Sequence, residues 1–522
     1  MPSMTKVSIS VSIYLLRPHY VAAVVEKLFS AAMPLGNGLE GFFRSFPAEA
    51  KPPNWFRALR DHLPEGSVAD IRGQSPAGML LLPRADKHFA VTFGHAWQYL
   101  ELVWVEPEFG RRVVLETTPI NGIVELHSQQ VFAKSHIATE RAPRATSLKQ
   151  FGVEVERDLV GAVEGIPSDN RLGAVARGGT SLRLKIPLAT ISVVLDFAAK
   201  LFDKDSYRRK FPDIDNLVIV RDEILSHALD LQLDADLVSG AAKKRAVLVA
   251  PSFKHGEATF ASEFAFGRLS GNVARAPYLQ YGSWEQHLKK QKAKPSLDLA
   301  RATRIHMFDA AGDLFETRTV YECIGYETAF QGKSYVLYSG NWYGADLDFT
   351  KMIEGALNGI LPSPDTLPPW NGVLHEDEYN KSCCKGSGRL LFDKRIVHYG
   401  GLQSKFEFCD FMDPKQKILY FAKITGKSSD SSHLVEQVRR TVELLFGSDN
   451  GFRRKLKASM AKYYPKVSNT WLDERPRPGE WKLCLVSMGR TKNSLPLFAK
   501  CSVARLSKWL DQAGHPVHFA AV

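Results

Sequence analysis

The chain has 522 residues, of which 44% are hydrophobic and 24% charged, values near those of an average soluble domain, which exclude a largely disordered or fibrous protein. Its length exceeds what one ordinary core organises and predicts two to four domains. The 68 basic against 56 acidic residues leave a formal charge of +12; such an excess favours DNA or RNA through counterion release, a lysine-rich solubilising surface being the plainer reading.

At the N-terminus, Ser8, Ser10 and Ser12 alternate with Val7, Ile9, Val11 and Ile13, the period of a half-buried strand and not of an export signal. A helix over His19 to Met33 follows. Gly36, Gly38 and Gly41 spell G-x-G-x-x-G, but they come after a helix and Pro34 where a dinucleotide fold needs a strand, so a loop is expected. A short helix over Trp55 to His62 precedes strands at GMLLLP, KHFAVTF, YLELVWV and RRVVLET, and residues 1–145 read as an α+β domain. Residues 146–295 read as a mostly helical middle domain, with helices at Leu188 to Phe202 and Arg221 to Leu237. Residues 296–370 read as a connecting α+β region closed by a proline-rich boundary, and residues 371–522 as a C-terminal α/β domain.

Two basic stretches carry the expected nucleic-acid contacts. In one, Arg171, Arg177, Arg183 and Lys185 flank Gly178 and Gly179, where backbone amides could approach a phosphate; an ordinary solvated turn is the alternative. In the other, Lys289, Lys290, Lys292 and Lys294 follow Trp284 and His287, a pattern that suits nucleic acid or a solvated linker. Arg453 and Arg454 in the last domain join this set. The six cysteines include no C-x-x-C pair, which argues against zinc and fits a reducing cytoplasm. No apolar run reaches membrane-spanning length, so a soluble, cytoplasmic protein without membrane partners is expected.

The last domain concentrates the chemistry. Asp393 closes the run GRLLFD, Glu407 and Asp410 stand in SKFEFCD, and Lys423 ends KILYFAK. Carboxylates at the ends of neighbouring strands can hold Mg²⁺, with Asp393, Glu407 and Asp410 as ligands and Lys423 stabilising charge on a phosphate; edge charge on a sheet is the alternative. Glu378 adds a possible helix-borne carboxylate. His433 and Gln437 share one face of the following helix, where His433 reads as a substrate contact or as a capping residue.

The order helix, three strands, helix, strand resembles the core of restriction-endonuclease-like nucleases. Their pattern places an acid two residues before the lysine; here that position is Phe421. FAVTFGHAW, EFGRRVVLET, DSYRRKFPDIDNL, YVLYSGNWYG, EDEYN, FEFCDFMD, ILYFAKI and SSHLVEQV together resemble a sporadically distributed bacterial family classed as a domain of unknown function. That resemblance implies interest in Glu378, Tyr379, Asn380, Asp393, Glu407, Cys409, Asp410, Lys423, Ser432, His433 and Leu434. It also implies the setting of antiviral defence genes. The expectation is a nucleic-acid-binding defence-type protein with a Mg²⁺-dependent nuclease domain, or else a non-catalytic sensor or scaffold that recognises nucleic acid or a phage component and regulates a partner defence protein.

Overall fold

The computed structural model describes residues 8–36, 38–46, 76–130, 137–153, 158–212, 214–250, 261–269, 273–310, 312–399, 405–426 and 428–522. The expected helix over Trp55 to His62 lies outside them. The chain is mixed α+β, its sheets mostly antiparallel, and it divides into two compact units. The first takes most of the chain up to Tyr326 together with Leu337–Tyr343; the second takes Glu327–Val336 and Gly344–Val522.

The first ten strands are β1 (Ser8–Leu15), β2 (Met33–Pro34), β3 (Phe42–Phe46), β4 (Ala77–Arg84), β5 (Lys87–Phe93), β6 (Ile123–Gln130), β7 (Ile137–Thr146), β8 (Asp158–Gly165), β9 (Ala176–Gly178) and β10 (Leu182–Pro187). They form one sheet in the order β2-β3-β4-β5-β1-β10-β9-β8-β6-β7. The expected boundary after residue 145 therefore falls inside β7, and the residues beyond it supply three more strands to the same sheet. Short, glycine-bearing strands such as β9 carry too weak a local signal to be read as strand. Alternation along β1 holds as expected: Val11, Ile13 and Leu15 are buried on one face.

 Helices α2 (Phe109–Thr117) and α3 (Ile191–Phe202) pack on that face through Phe109, Val113, Val114, Ile191, Val194 and Leu195. On the opposite face, helix α1 (Val21–Phe29) covers Tyr14, Leu16, Met79 and Leu81, while Ser10 and Ser12 beside them stay at least partly open to solvent.

The segment RRVVLET, expected as a strand, is most of α2. Its valines favour strands locally, but tertiary contacts override that preference. Lys210 Nζ donates to the carbonyls of Leu115, Glu116 and Thr118 at 2.8, 2.8 and 2.9 Å and so caps the helix end. Near the helix start, Gly110 and Gly178 lie face to face: a Cβ on Gly178 would stand 2.0 Å from the Gly110 carbonyl oxygen, so no larger residue fits. YLELVWV likewise forms two short 3-10 turns, Ala96–Tyr99 and Leu102–Trp104, in place of a strand.

Buried Arg111 on α2 donates to Glu108 at 2.6 Å, to Asp215 at 2.9 Å and to the Val160 carbonyl at 2.8 Å. It joins EFGRR to the distant DSYRRKFPDIDNL segment, whose Tyr207 hydroxyl also donates to Asp215.

Beyond β10 the first unit turns more helical. Helix α4 (Glu223–Ser239) is capped by Asp222, whose carboxylate accepts from the amides of Ile224 and Leu225, and ends at Gly240 with a left-handed φ of 79°. Helix α5 is Tyr281–Lys290. Strands β11 (Leu217–Ile219), β12 (Ala246–Leu248), β16 (Ile324–Phe330), β17 (Lys333–Tyr338) and β18 (Asn341–Ala345) make a five-stranded sheet; β13 (Glu263–Phe266), β14 (Arg304–Phe308) and β15 (Leu314–Thr319) make a three-stranded one. The middle of the chain is thus not a separate helical domain, because its strands are short and scattered between stronger helical patterns.

In the second unit, helices α6 (Leu347–Asn358), α7 (Glu376–Cys384), α8 (Ser428–Leu445), α9 (Gly451–Tyr463) and α10 (Leu497–Gln512) accompany a six-stranded sheet. Its strands are β19 (Leu361–Pro362), β20 (Leu390–Leu391), β23 (Phe411–Asp413), β24 (Ile418–Ile424), β25 (Lys482–Met488) and β26 (Val517–Ala521), in the order β19-β26-β25-β24-β23-β20. Strands β24, β25, β26 and β19 are parallel, and β20 and β23 antiparallel. Strands β21 (Ile396–His398) and β22 (Lys405–Glu407) pair apart from it.

Each of the strands expected at Arg389 to His398 and Lys405 to Phe411 is thus split in two. Asp413 starts the turn into β24 by accepting from the amides of Lys415 and Gln416. Tyr379 and Cys383 of α7 pack with Tyr420, Ala422 and Val486 in one core, and α8 packs against β24 and α10.

Replacing Arg111 with methionine would leave buried Glu108 without its partner and Asp215 with only Tyr207 and Arg208. A loss of about 3–5 kcal/mol is expected, read as a lower urea midpoint at unchanged slope.

Candidate metal centre

The splits in the two strands bring the acidic residues together. Asp393 stands in the turn after β20, where Lys394 adopts a left-handed φ of 62°. Glu407 ends β22, and its carboxylate accepts from the Lys394 amide. Asp410 immediately precedes β23. Its carbonyl accepts from the amides of Phe392 and Asp393 at 2.7 and 2.8 Å, its own amide donates to Tyr420 at 3.0 Å, and its carboxylate accepts from the Ala422 amide at 2.8 Å. One oxygen from each of Asp393, Glu407 and Asp410 lies within 4.8 Å of the other two.

Asp410 is buried and the other two partly so. Burial raises the Asp410 carboxyl well above the ordinary aspartate value, against the Ala422 amide and with the charges of Glu407, Glu376 and Asp393 adding to it. Burial also raises Glu407, opposed by the Lys394 amide and reinforced by Asp393. Three hard oxygen donors that repel one another fit a divalent ion such as Mg²⁺, which would offset the repulsion.

Lys423 Nζ is 2.8 Å from Glu376 Oε1 in the first turn of α7. Burial alone would lower its pKa, but the hydrogen bond to Glu376 and the charges of Glu376 and Asp410 hold it above the ordinary lysine value. It is therefore a fixed positive charge and not a base. Glu378, the helix acid singled out from sequence, instead accepts from the His375 amide at 3.1 Å and caps α7. Glu376 was missed because its helical register relative to β24 shows only once that cap is known.

Asn380, one turn after Glu376, is fully buried, and its side-chain amide has no hydrogen-bond partner among the described residues. Phe421 is fully buried in the sheet and offers no ligand. Tyr379 and Leu434 are core residues. Cys409 is likewise buried, and burial raises its thiol well above the usual range, which marks packing and not reactivity. His433 lies exposed near the start of α8, and Ser432 is in the same turn.

The basic residues divide in character. Arg453 corrects the expectation of a surface contact: it is buried, and its guanidinium donates to the Leu445 and Gly447 carbonyls at 3.2 and 2.7 Å at the end of α8. Arg454 beside it is exposed. Arg171 is engaged by Asp169 at 2.6 Å and lies 3.6 Å over the Phe197 ring. Lys289, Lys290 and Lys292 are exposed at and just beyond the end of α5, but Trp284 is fully buried and cannot stack on a base. Arg177, Arg183 and Lys185 lie on β9 and β10 and line one cleft of the first unit. Gly41, from the glycine pattern, sits against the Leu81 carbonyl between β2 and β3, so it serves the sheet and no phosphate. Among the described residues no helix is long and apolar enough to cross a membrane.

Fold and site together define a mixed α+β protein with a clustered-carboxylate candidate metal centre. The chain belongs to the family of unknown function DUF6119, whose model matches residues 11–522. No curated protein matches it.

The raised carboxyls give a signed pH response. A folded-state pKa above the unfolded value means stability is full below the unfolded carboxylate pKa, near 4, and falls as pH rises through the folded value, by about 1.4 kcal/mol per pH unit per proton. Asp410→Asn should flatten that fall and raise the melting temperature of the metal-free protein at alkaline pH. Mn²⁺ should stabilise the wild type more at about pH 8 than at about pH 6, because it displaces protons, and should not stabilise Asp410→Asn; thermal melts measure both.

Proposed function

We propose that the protein is a nucleic-acid-directed protein of bacterial antiviral defence type whose second unit hydrolyses phosphodiesters with Mg²⁺. The observation that carries this reading is the convergence of Asp393, Glu407 and Asp410 within 4.8 Å. The resemblance of the strand and helix order to restriction-endonuclease-like nucleases supports it. Asp393, Glu407 and Asp410 would hold the ion, which when bound would supply a water of lowered pKa and offset phosphate charge.

Lys423, fixed by Glu376, places a positive charge beside these groups for a phosphate oxygen. Glu376 contributes the negative charge near the lysine that Phe421 does not, coming from α7 and not from the strand. Exposed His433 and Arg454 are candidates to contact the nucleic-acid backbone. The +12 formal charge favours such a polyanionic substrate.

Incubation of the purified protein with single- and double-stranded DNA and RNA in Mg²⁺ or Mn²⁺ should give cleavage that EDTA abolishes. Lys423→Met should reduce the rate by about 10²–10³, and Glu407→Gln should remove metal-dependent cleavage. Equal inactivity of the wild type and both variants on every substrate overturns the enzymatic reading. Phe421 favours a second reading, a non-catalytic sensor or scaffold that binds nucleic acid or a phage component and regulates a partner defence protein; protection of cells from phage that survives Glu407→Gln would select it.

A further inference from the structure

Asn380 on α7 is fully buried, yet neither its side-chain oxygen nor its side-chain nitrogen has a hydrogen-bond partner among the described residues. An amide so placed has given up its bonds to water. Where both ends are left unmet, a bound water, ion or ligand is the ordinary explanation. A purely packing role calls for no amide, since leucine has the same branched outline without buried polar atoms.

The helix aims this amide at the carboxylate cluster. Successive helical residues turn by about 100°, which sets Asn380 about 40° from Glu376 and about 60° from Asp377, between the two. Both of these acids reach the edges of the cluster. Glu376 accepts from Lys423 at 2.8 Å and from the Ile424 amide at 3.4 Å, two residues beyond the Ala422 amide that Asp410 holds. Asp377 lies 3.1 Å from the Nζ of Lys394, the residue after Asp393. Along the helix axis Asn380 stands one turn beyond Glu376 and one turn before Cys384. Glu376 is among the charges that add to burial in raising Asp410, and Cys384 is among those that add to burial in raising the neighbouring Cys409. The residue midway between them on that face therefore looks onto Cys409 and Asp410, while Tyr379 and Cys383 fill the adjoining apolar side. Neither amide atom bonds Asp393, Glu407 or Asp410 directly. The contact for which the amide is placed thus passes through something held between them.

We propose that Asn380 is a positioning residue of the metal centre, whose Oδ1 accepts a hydrogen bond from a water ligand of the divalent ion held by Asp393, Glu407 and Asp410. The assignment rests on the reading of that cluster as a metal centre. A small divalent ion held by few protein groups keeps several waters, and each of those waters has protons to place. A neutral amide oxygen accepts one without adding a fourth negative charge to three that already repel one another. Its burial fixes the direction of the bond, as expected of a group that orients a ligand and does not itself bind the ion.

Mn²⁺ titrations of the full chain without nucleic acid, followed by calorimetry and by the electron paramagnetic resonance of the free ion, test this. Asn380→Leu should weaken Mn²⁺ binding by about 10–100-fold. Asn380→Asp, which keeps an oxygen in the same place, should bind Mn²⁺ at least as tightly as the wild type. Unchanged Mn²⁺ affinity in Asn380→Leu overturns the proposal and leaves Asn380 with an ordinary buried water. If that variant does not fold, Asn380→Asp decides, because weaker binding than the wild type overturns the proposal as well. Mn²⁺ binding that Asn380→Leu weakens, without cleavage of any nucleic acid by the wild type, upholds this assignment and removes only the nuclease reading. Absence of Mn²⁺ binding by the wild type at millimolar concentration removes the metal centre and the part of Asn380 in it together.

Discussion

Asp410 is the residue on which the geometry of the second unit's site depends. Its carbonyl holds the turn that carries Asp393, its amide and carboxylate tie it to β24, and its side chain is the buried member of the carboxylate cluster. A single residue so placed fixes the ends of β20, β23 and β24 relative to one another. It also concentrates negative charge in a poorly hydrated place, where a carboxylate is costly unless something offsets it.

Much of that arrangement was legible in the sequence. Asp393, Glu407, Asp410 and Lys423 stand out because acids and a lysine close successive apolar runs, and strand ends are where side chains from different strands meet. The breaks within those runs were not legible, since a turn at Lys394 depends on backbone conformation and on a hydrogen bond to Glu407 13 residues away. Glu376 was passed over for Glu378 because two acids in one helical turn are equivalent until the cap assigns one of them. Arg453 misled for the opposite reason: an arginine in a basic helix reads as surface, whereas here it satisfies the carbonyls at the end of the preceding helix.

In the first unit the alternation along β1 was read correctly, whereas RRVVLET and YLELVWV were misread as strands and the assembly of the sheet was not foreseen. Alternation along β1 is a property of neighbouring residues, and it survives in the structure. The pairing of β1 with β10 joins residues 169 to 179 positions apart, and nothing local announces it. RRVVLET shows the same limit in another form, since buried Arg111 and the Lys210 cap belong to partners that lie far along the chain. Arg177 and Arg183 look like parts of one loop in the sequence and are neighbours on paired strands in the fold.

The origin of Glu376 on a helix has a mechanical meaning. Its partner Lys423 rides on a strand, so the ion pair spans two elements whose separation is set by the apolar layer of Tyr379, Cys383, Tyr420 and Ala422 between them. In an acid-x-lysine strand both charges share one rigid backbone and their spacing is covalent. Here the spacing is elastic: any change in the volume of that layer alters the distance between the charges. The geometry of the polar site is thereby coupled to side chains that carry no charge, and variation in the hydrophobic interior becomes a means of tuning it.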